Sequence, residues 1–293
     1  MNYRVLLYYK YVNVINPEQI RDDHFRFCGE NDIKGRIFLS EEGLNGTVSG
    51  LLDNIEHYKN FLRSYTPFND IIFKEDETSS HAFKKLYVRV KSEIVTSGLN
   101  VSLKNGGKKL SPQQLKEFYD SGHDFIAVDA RNWYESKIGR FKNAVTPSLE
   151  NFREWTRIAD ELAHLKDKTI VTYCTGGIRC EKASAFLVEQ GFKDVYQLDG
   201  GIISYIKKFP DTHWEGSVFV FDERRLLEVN SSPELKHITR CYFCGKETSY
   251  YINCHNQDCD QILISCHECK KENDYCCSDE CRKAPHKRKY HHG

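Results

Sequence analysis

The segment Thr169-Ile170-Val171-Thr172-Tyr173-Cys174-Thr175-Gly176-Gly177-Ile178-Arg179-Cys180 decides how this 293-residue chain is read. Its first five residues are β-branched or aromatic and predict a buried strand. Cys174 ends that strand, Gly176 and Gly177 let the backbone curl, and a helix opens near Arg179. Successive N–H groups in such a turn form an anion cradle, to which the helix start adds its positive dipole end. Thr175, Gly176, Gly177, Ile178 and Arg179 thus surround a sulfur whose pKa they lower, making Cys174 the candidate catalytic nucleophile. The bland alternative is a structural cysteine buried at a strand end.

Outward from this loop, strand and helix signals alternate. Ser111-Pro112 starts a helix with an N-cap and an N1 proline, and residues 125–131 read as a buried strand ending in polar groups. Residues 149–165 carry a helical pattern, the helix after Cys174 stops at Gly191, and residues 194–198 form a short strand before Asp199-Gly200-Gly201-Ile202. That alternation predicts a parallel α/β sheet with ligands at the carboxyl ends of its strands. Asp129 and Cys174 both sit at such ends and could line one crevice. Asp129 and Arg131 either brace the loop as an ion pair or touch the substrate. Cys180, in the first helical turn, either resolves an oxidised Cys174 or simply packs.

Before this unit, strands at residues 4–12, 35–39, 45–49 and 71–73 and helices from Pro17 and over 51–65 give the order βαββαβ, a ferredoxin-like α+β unit. Residues 86–95 add an extended segment, and 100–109 read as a polar linker. The Gly-rich stretch 40–46 is expected to be an Asn-Gly hairpin turn, because Glu41 and Glu42 would repel a phosphate. The expected division is 1–98 for this substrate-positioning domain, 99–215 for the α/β domain, and 216–293 for a linker and Cys-rich tail.

Nine of the twelve cysteines are in that tail: Cys241, Cys244, Cys254, Cys259, Cys266, Cys269, Cys276, Cys277 and Cys281. Two C-x-x-C pairs are strong metal-ligand signals, and nine thiols supply two four-sulfur sites with one left over. The expected pairing places Cys241, Cys244, Cys266 and Cys269 on one zinc ion. Cys254, Cys259 and Cys281, with Cys276 or Cys277, take the other. His255, His267 and His286 could substitute for a cysteine, and iron–sulfur ligation is the alternative to structural zinc. Formal net charge is zero, which argues against a globally basic nucleic-acid packaging protein. With no signal-peptide pattern and no membrane-length apolar run, the expectation is a cytoplasmic protein with no membrane partner. No dinucleotide fingerprint or other organic cofactor motif is visible.

Asp129-Ala130-Arg131-Asn132, Glu135, the six residues Cys174 to Arg179, and Leu198-Asp199-Gly200-Gly201-Ile202 resemble a rhodanese domain. Rhodanese sulfurtransferases have a loop of that length, and the related phosphatases a longer one. Arg140 stands where the family pattern has His after Gly139. Together with Glu42-Gly43-Leu44-Asn45-Gly46-Thr47-Val48-Ser49-Gly50 and the Cys-rich tail, these motifs resemble the rhodanese-type tRNA uridine hydroxylases over nearly the whole chain. The resemblance implies oxygen-dependent conversion of the wobble uridine to 5-hydroxyuridine, with molecular oxygen as co-substrate and the tRNA anticodon loop as partner. Phosphate contacts are then expected from Lys104, Lys108, Lys109, Lys207, Lys208, Arg282, Lys283, Lys287, Arg288 and Lys289. The competing readings are a sulfurtransferase carrying persulfide on Cys174 and a non-catalytic RNA-binding protein.

Overall fold

The structure, a computed structural model, describes residues 2–210, 212–229 and 237–289. Its N-terminal unit runs β1 (Tyr3–Tyr11), α1 (Pro17–Glu30), β2 (Lys34–Ser40), β3 (Gly43–Leu51), α2 (Leu52–Arg63), β4 (Phe73–Thr78) and β5 (Leu86–Val90). The strand order β4-β1-β3-β2 is the antiparallel ferredoxin-like arrangement. β5 adds a fifth strand, parallel to β2. Strand alternation gives the sheet two faces. Leu6, Tyr8, Ile37, Leu39, Leu44 and Val48 form a core with Ile20, Ile55, Tyr58 and Leu62 of the two helices. Val5, Leu7, Tyr9, Arg36, Phe38, Asn45 and Thr47 lie on the opposite face.

The hairpin expected at 40–46 exists, but its turn is Glu41-Glu42; Asn45 and Gly46 lie inside β3. Gly46 is there because the Tyr8 ring crosses it: a Cβ would fall 2.3 Å from the Tyr8 hydroxyl. The fourth strand starts at Phe73, where the pattern of 71–73 had placed its end, and Ile72 is exposed.

The second unit contains β6 (Lys108–Leu110), α3 (Pro112–Ser121), β7 (Phe125–Asp129), α4 (Trp133–Ile138), β8 (Gly139–Phe141), α5 (Trp155–Glu161), β9 (Thr169–Tyr173), α6 (Ile178–Glu189), β10 (Asp194–Leu198) and α7 (Gly201–Lys208). Its parallel sheet has the order β6-β10-β9-β7. Residues 108 and 109 of the expected linker thus belong to an edge strand. The helical pattern over 149–165 is broken into α5 flanked by 3-10 turns at Phe152–Glu154 and Ala163–Leu165. α3 starts as expected, with a Ser111/Gln114 capping box.

The remainder runs β11 (Trp214–Gly216), β12 (Val218–Phe219), β13 (Leu226–Leu227), β14 (Tyr251–Asn253), β15 (Ile262–Ile264), α8 (His267–Glu272) and α9 (Asp279–Lys283). β11 pairs with β8, and Phe219 and Ile264 pack on Ile138 of α4. No helix among the described residues is long and apolar enough to cross a membrane.

The first turns of α6 dock on the N-terminal sheet. The Tyr9 hydroxyl donates to Glu181 at 3.0 Å. Lys182, 4% exposed, bridges Glu42 at 2.9 Å and Glu93 at 2.8 Å. Burial would raise the Glu93 pKa, but the bonds from Lys182, Ser97 and Gly98 outweigh it and hold it down, from 4.5 to about 2. A depressed carboxylate stabilises the fold above its unfolded pKa, and that contribution is lost as pH falls from 4.5 toward 2. Lys182→Met should lower unfolding free energy by about 2 kcal/mol at neutral pH. Urea titrations of Glu93→Gln should show a shallower loss of stability on acidification than wild type; parallel curves would contradict the assignment.

Candidate active site

Cys174 follows the last residue of β9 and is 1% exposed. Gly177 holds the turn at φ 100°, and its N–H donates to the Cys174 sulfur at 3.2 Å. Gly200 and Gly201 also take positive φ, and Gly201 touches the loop so closely that a Cβ would lie 2.5 Å from the Cys174 carbonyl. The N–H groups of Ile202 and Ile203 cap the carbonyls of Cys174 and Thr175 at 3.0 and 3.1 Å. Gly177 and Gly200 thus supply positive-φ turns, Gly201 the close approach of α7 to the loop, and Gly176 the room that Leu7 of β1 occupies.

Burial opposes ionisation of Cys174, yet its pKa is lowered. The Cys180 S–H, the Arg179 charge and the N–H groups of Cys180 and Arg179 all favour the thiolate. Cys180, fully buried beside it, is pushed up by burial and by the thiolate. Arg179 does not reach into open space. Its guanidinium donates two bonds to Glu135, at 2.7 and 2.8 Å, and acts on Cys174 through its charge. Glu135 is 0% exposed and also accepts from the Asn132 N–H at 3.1 Å and the Thr175 hydroxyl at 3.4 Å. The Arg179 charge outweighs the burial that would otherwise raise the Glu135 pKa, and keeps it ionised.

Asp129 pairs in the sheet register with Tyr173, but its carboxylate faces Arg131 rather than the crevice. Arg131 Nε lies 2.9 Å and Nη2 2.6 Å from it; Nη2 also donates to the Gly139 carbonyl at 2.6 Å. Both side chains are 0% exposed, an arrangement suited to bracing β7 against the start of β8 and not to substrate contact.

A cavity of about 360 Å³ opens over Cys174, a size usual for small-molecule sites. Cys174, Thr175, Gly176, Ile178 and Arg179 form one wall. The opposite wall is the free face of the N-terminal sheet: Val5, Leu7, Tyr9, Arg36, Phe38, Asn45, Thr47 and Asp76. Phe221, Asp222 and Arg224 close one side. Lys74 of β4 donates to the Gly176 carbonyl at 2.9 Å, placing a second cation at the loop.

The tail cysteines form two sets. Cys241, Cys244, Cys266 and Cys269 have their sulfurs within 4.8 Å of one another, as do Cys254, Cys259, Cys277 and Cys281. Sulfur–sulfur edges of 3.8, 3.7 and 3.6 Å match the roughly 3.8 Å edge of a tetrahedron around one ion with thiolate bonds of about 2.3 Å. Cys276 is outside both sets; its sulfur points to the Asp274 and Cys281 carbonyls. His255, His267 and His286 join neither.

Three family models match in sequence: the UPF0176 acylphosphatase like domain over residues 3–94, the rhodanese-like domain over 111–208, and the rhodanase C-terminal domain over 215–282. A tRNA uridine(34) hydroxylase of Cytophaga hutchinsonii is 44% identical, covering 99% of this chain and 93% of that protein. The chain belongs to the tRNA uridine(34) hydroxylase family. Family members so named from Staphylococcus carnosus (45% identical; 98% of this chain, 92% of that protein) and Bacillus licheniformis (44%; 97% and 89%) are alike over the same length. Among solved structures, a rhodanese-like domain from Anabaena aligns at TM-score 0.33 and 19% identity, over 43% of this chain and 84% of that one; it adds nothing to the assignment.

Several residues of this hydroxylase-family site were not among the sequence candidates. Leu7, Tyr9, Phe38 and Lys74 come from strands far away in the chain, and only the docking of α6 brings them to Cys174. Of the basic candidates, Lys108 pairs with Asp194 at 2.9 Å, Lys207 with Asp76 at 2.6 Å, and Lys109, Arg282 and Arg288 with Glu181, Asp279 and Asp260.

Alkylation of Cys174 by iodoacetamide, followed by peptide mass mapping, should be half-maximal near its lowered pKa of about 6. Arg179→Met should move that midpoint up by at least about one unit. Metal analysis should return two ions per chain; Cys277→Ser should lose one and Cys276→Ser should keep both. Equal loss in the two variants would reject the four-sulfur sets.

Proposed function

We propose that this chain hydroxylates C5 of uridine 34 in tRNA, with Cys174 as nucleophile and molecular oxygen as oxidant. The observation that carries the proposal is the composite cavity. A thiolate-favouring cysteine lines a slot walled by Leu7, Phe38 and Phe152, and Asn45, Thr47 and Asn132 add polar groups to its lining. A pyrimidine ring has apolar faces and a polar rim, and an anticodon-loop base can be splayed out to enter such a slot.

In the proposed reaction the Cys174 thiolate adds to C6, and the C5–C6 π pair becomes an enolate that extends to O4. The loop's charge and dipoles stabilise that negative charge. C5 then takes one oxygen atom from the oxidant. Loss of the C5 proton and expulsion of the thiolate restore the double bond. Replacing C5–H by C5–OH removes two electrons from the base; with dioxygen as oxidant, the second oxygen atom leaves as water with two electrons and two protons from a donor. Zinc ions held by the two thiolate sets would supply no chemistry in these steps, since four sulfurs leave no open position; they would fix the fold of the tail. The proposed location is the cytoplasm.

Nucleoside mass spectrometry of tRNA treated with wild-type or Cys174→Ala protein tests this reading. 5-Hydroxyuridine should be formed by the first and fall to background with the second. tRNA carrying 5-fluorouridine at position 34 should give a covalent adduct at Cys174. A thiolated nucleoside in place of the hydroxylated one would point to persulfide transfer.

A further inference from the structure

We infer that the open part of the N-terminal sheet, around Arg36, Phe38, Tyr87, Arg89 and Lys91, binds the single-stranded nucleotides that flank the target uridine. The inference rests on the proposed function and extends it from the base to its neighbours. Register places these residues together: Arg36 is opposite Tyr87, and Phe38 is opposite Arg89. Paired residues on adjacent strands point to the same face, so this strip continues the sheet wall of the Cys174 cavity, which already includes Arg36 and Phe38. The Cys174 loop and α6 cover that face at Leu7 and Tyr9 of β1, and β5 is the strand at the far edge of the sheet.

The chemistry of the strip is that of a single-strand binder, aromatic planes among cations. Tyr87 is 42% exposed, with the Arg89 guanidinium 5.8 Å from its ring centroid. The Lys91 ammonium is 4.1 Å from the Phe38 centroid. Phe221, 49% exposed, stands at the side of the same cavity. Among the described residues no carboxylate pairs with Arg36, Arg89 or Lys91. Four acids beside the cavity are occupied: Asp76 by Lys207 and Arg224, Asp222 by Arg224, and Glu42 and Glu93 by Lys182. A chain with no net charge thus carries a positive strip free to meet phosphates. The strip leads into the cavity, so a strand lying on it would deliver one base to Cys174.

The test uses full-length protein and tRNA with uridine at position 34. Affinity is measured across a salt series for wild type, Arg89→Ala/Lys91→Ala and Tyr87→Ala. The double variant should bind at least about tenfold more weakly, with a log–log salt slope smaller by about 1.4. Tyr87→Ala should also lose about tenfold with the slope unchanged. The loss should fall on KM for tRNA rather than on kcat, and the Cys174 alkylation midpoint should stay in place. Wild-type affinity and slope in the double variant overturn the inference, as does a fall in kcat accompanied by a shifted Cys174 midpoint. If wild-type protein leaves the tRNA unhydroxylated, the functional proposal fails, while the binding comparison still decides the role of the strip.

Discussion

The bidentate bond between Arg179 and Glu135 is the constraint from which the site follows. Both groups are buried, and neither tolerates burial alone. Glu135 is fixed in turn by the first turn of α4, through the Asn132 N–H. The pair therefore ties the nucleophile loop to a helix on a neighbouring segment and holds a positive charge close to Cys174. A lysine could supply the charge but not the two parallel bonds. This is why the loop keeps its shape around a sulfur that is almost sealed from water and whose pKa is lowered.

A second constraint is the docking of two folds against each other. In an isolated α/β sheet the loop at a strand end would open to solvent. Here Leu7 presses on Gly176 so closely that a Cβ at that position would fall 2.8 Å from the leucine methyl. Tyr9 similarly covers Gly177, and Lys182 locks the two units together. The glycines of the loop thus serve two ends: the curl around sulfur and the approach of a foreign sheet. Neither unit alone contains the cavity.

What the sequence made legible was local. Strand, cysteine, glycines and helix lie within twelve consecutive residues, and each element obeys its own propensity. The first four-sulfur set follows from two C-x-x-C spacings. The choice between Cys276 and Cys277 did not, because adjacent residues have the same spacing and only the backbone path toward α9 separates them. Asn45-Gly46 misled because its turn chemistry was outweighed by the Tyr8 ring crossing the strand. No sequence motif marks Arg36, Arg89 and Lys91; the β2–β5 register puts the first two on one face, and Lys91 lies over the Phe38 ring of that face. The expected phosphate contacts at Lys108, Lys109 and Lys207 looked free in sequence because their carboxylate partners are remote in the chain.

The cover over the loop bears on what the cysteine can meet. A bare cradle of N–H groups suits a small tetrahedral anion, which needs donors on several sides. In this protein one side of the loop is taken by a leucine side chain and another by the bond from Lys74 to the Gly176 carbonyl. The remaining approach runs past Phe38 and Phe152, whose apolar faces give an anion nothing in exchange for its hydration. A flat heterocycle loses far less there, since its faces are apolar and its polar edge can turn toward Asn45, Thr47 or Asn132. The proposed attack on the face of a ring, rather than the sulfur transfer of an open rhodanese loop, is the chemistry that this covered loop suits.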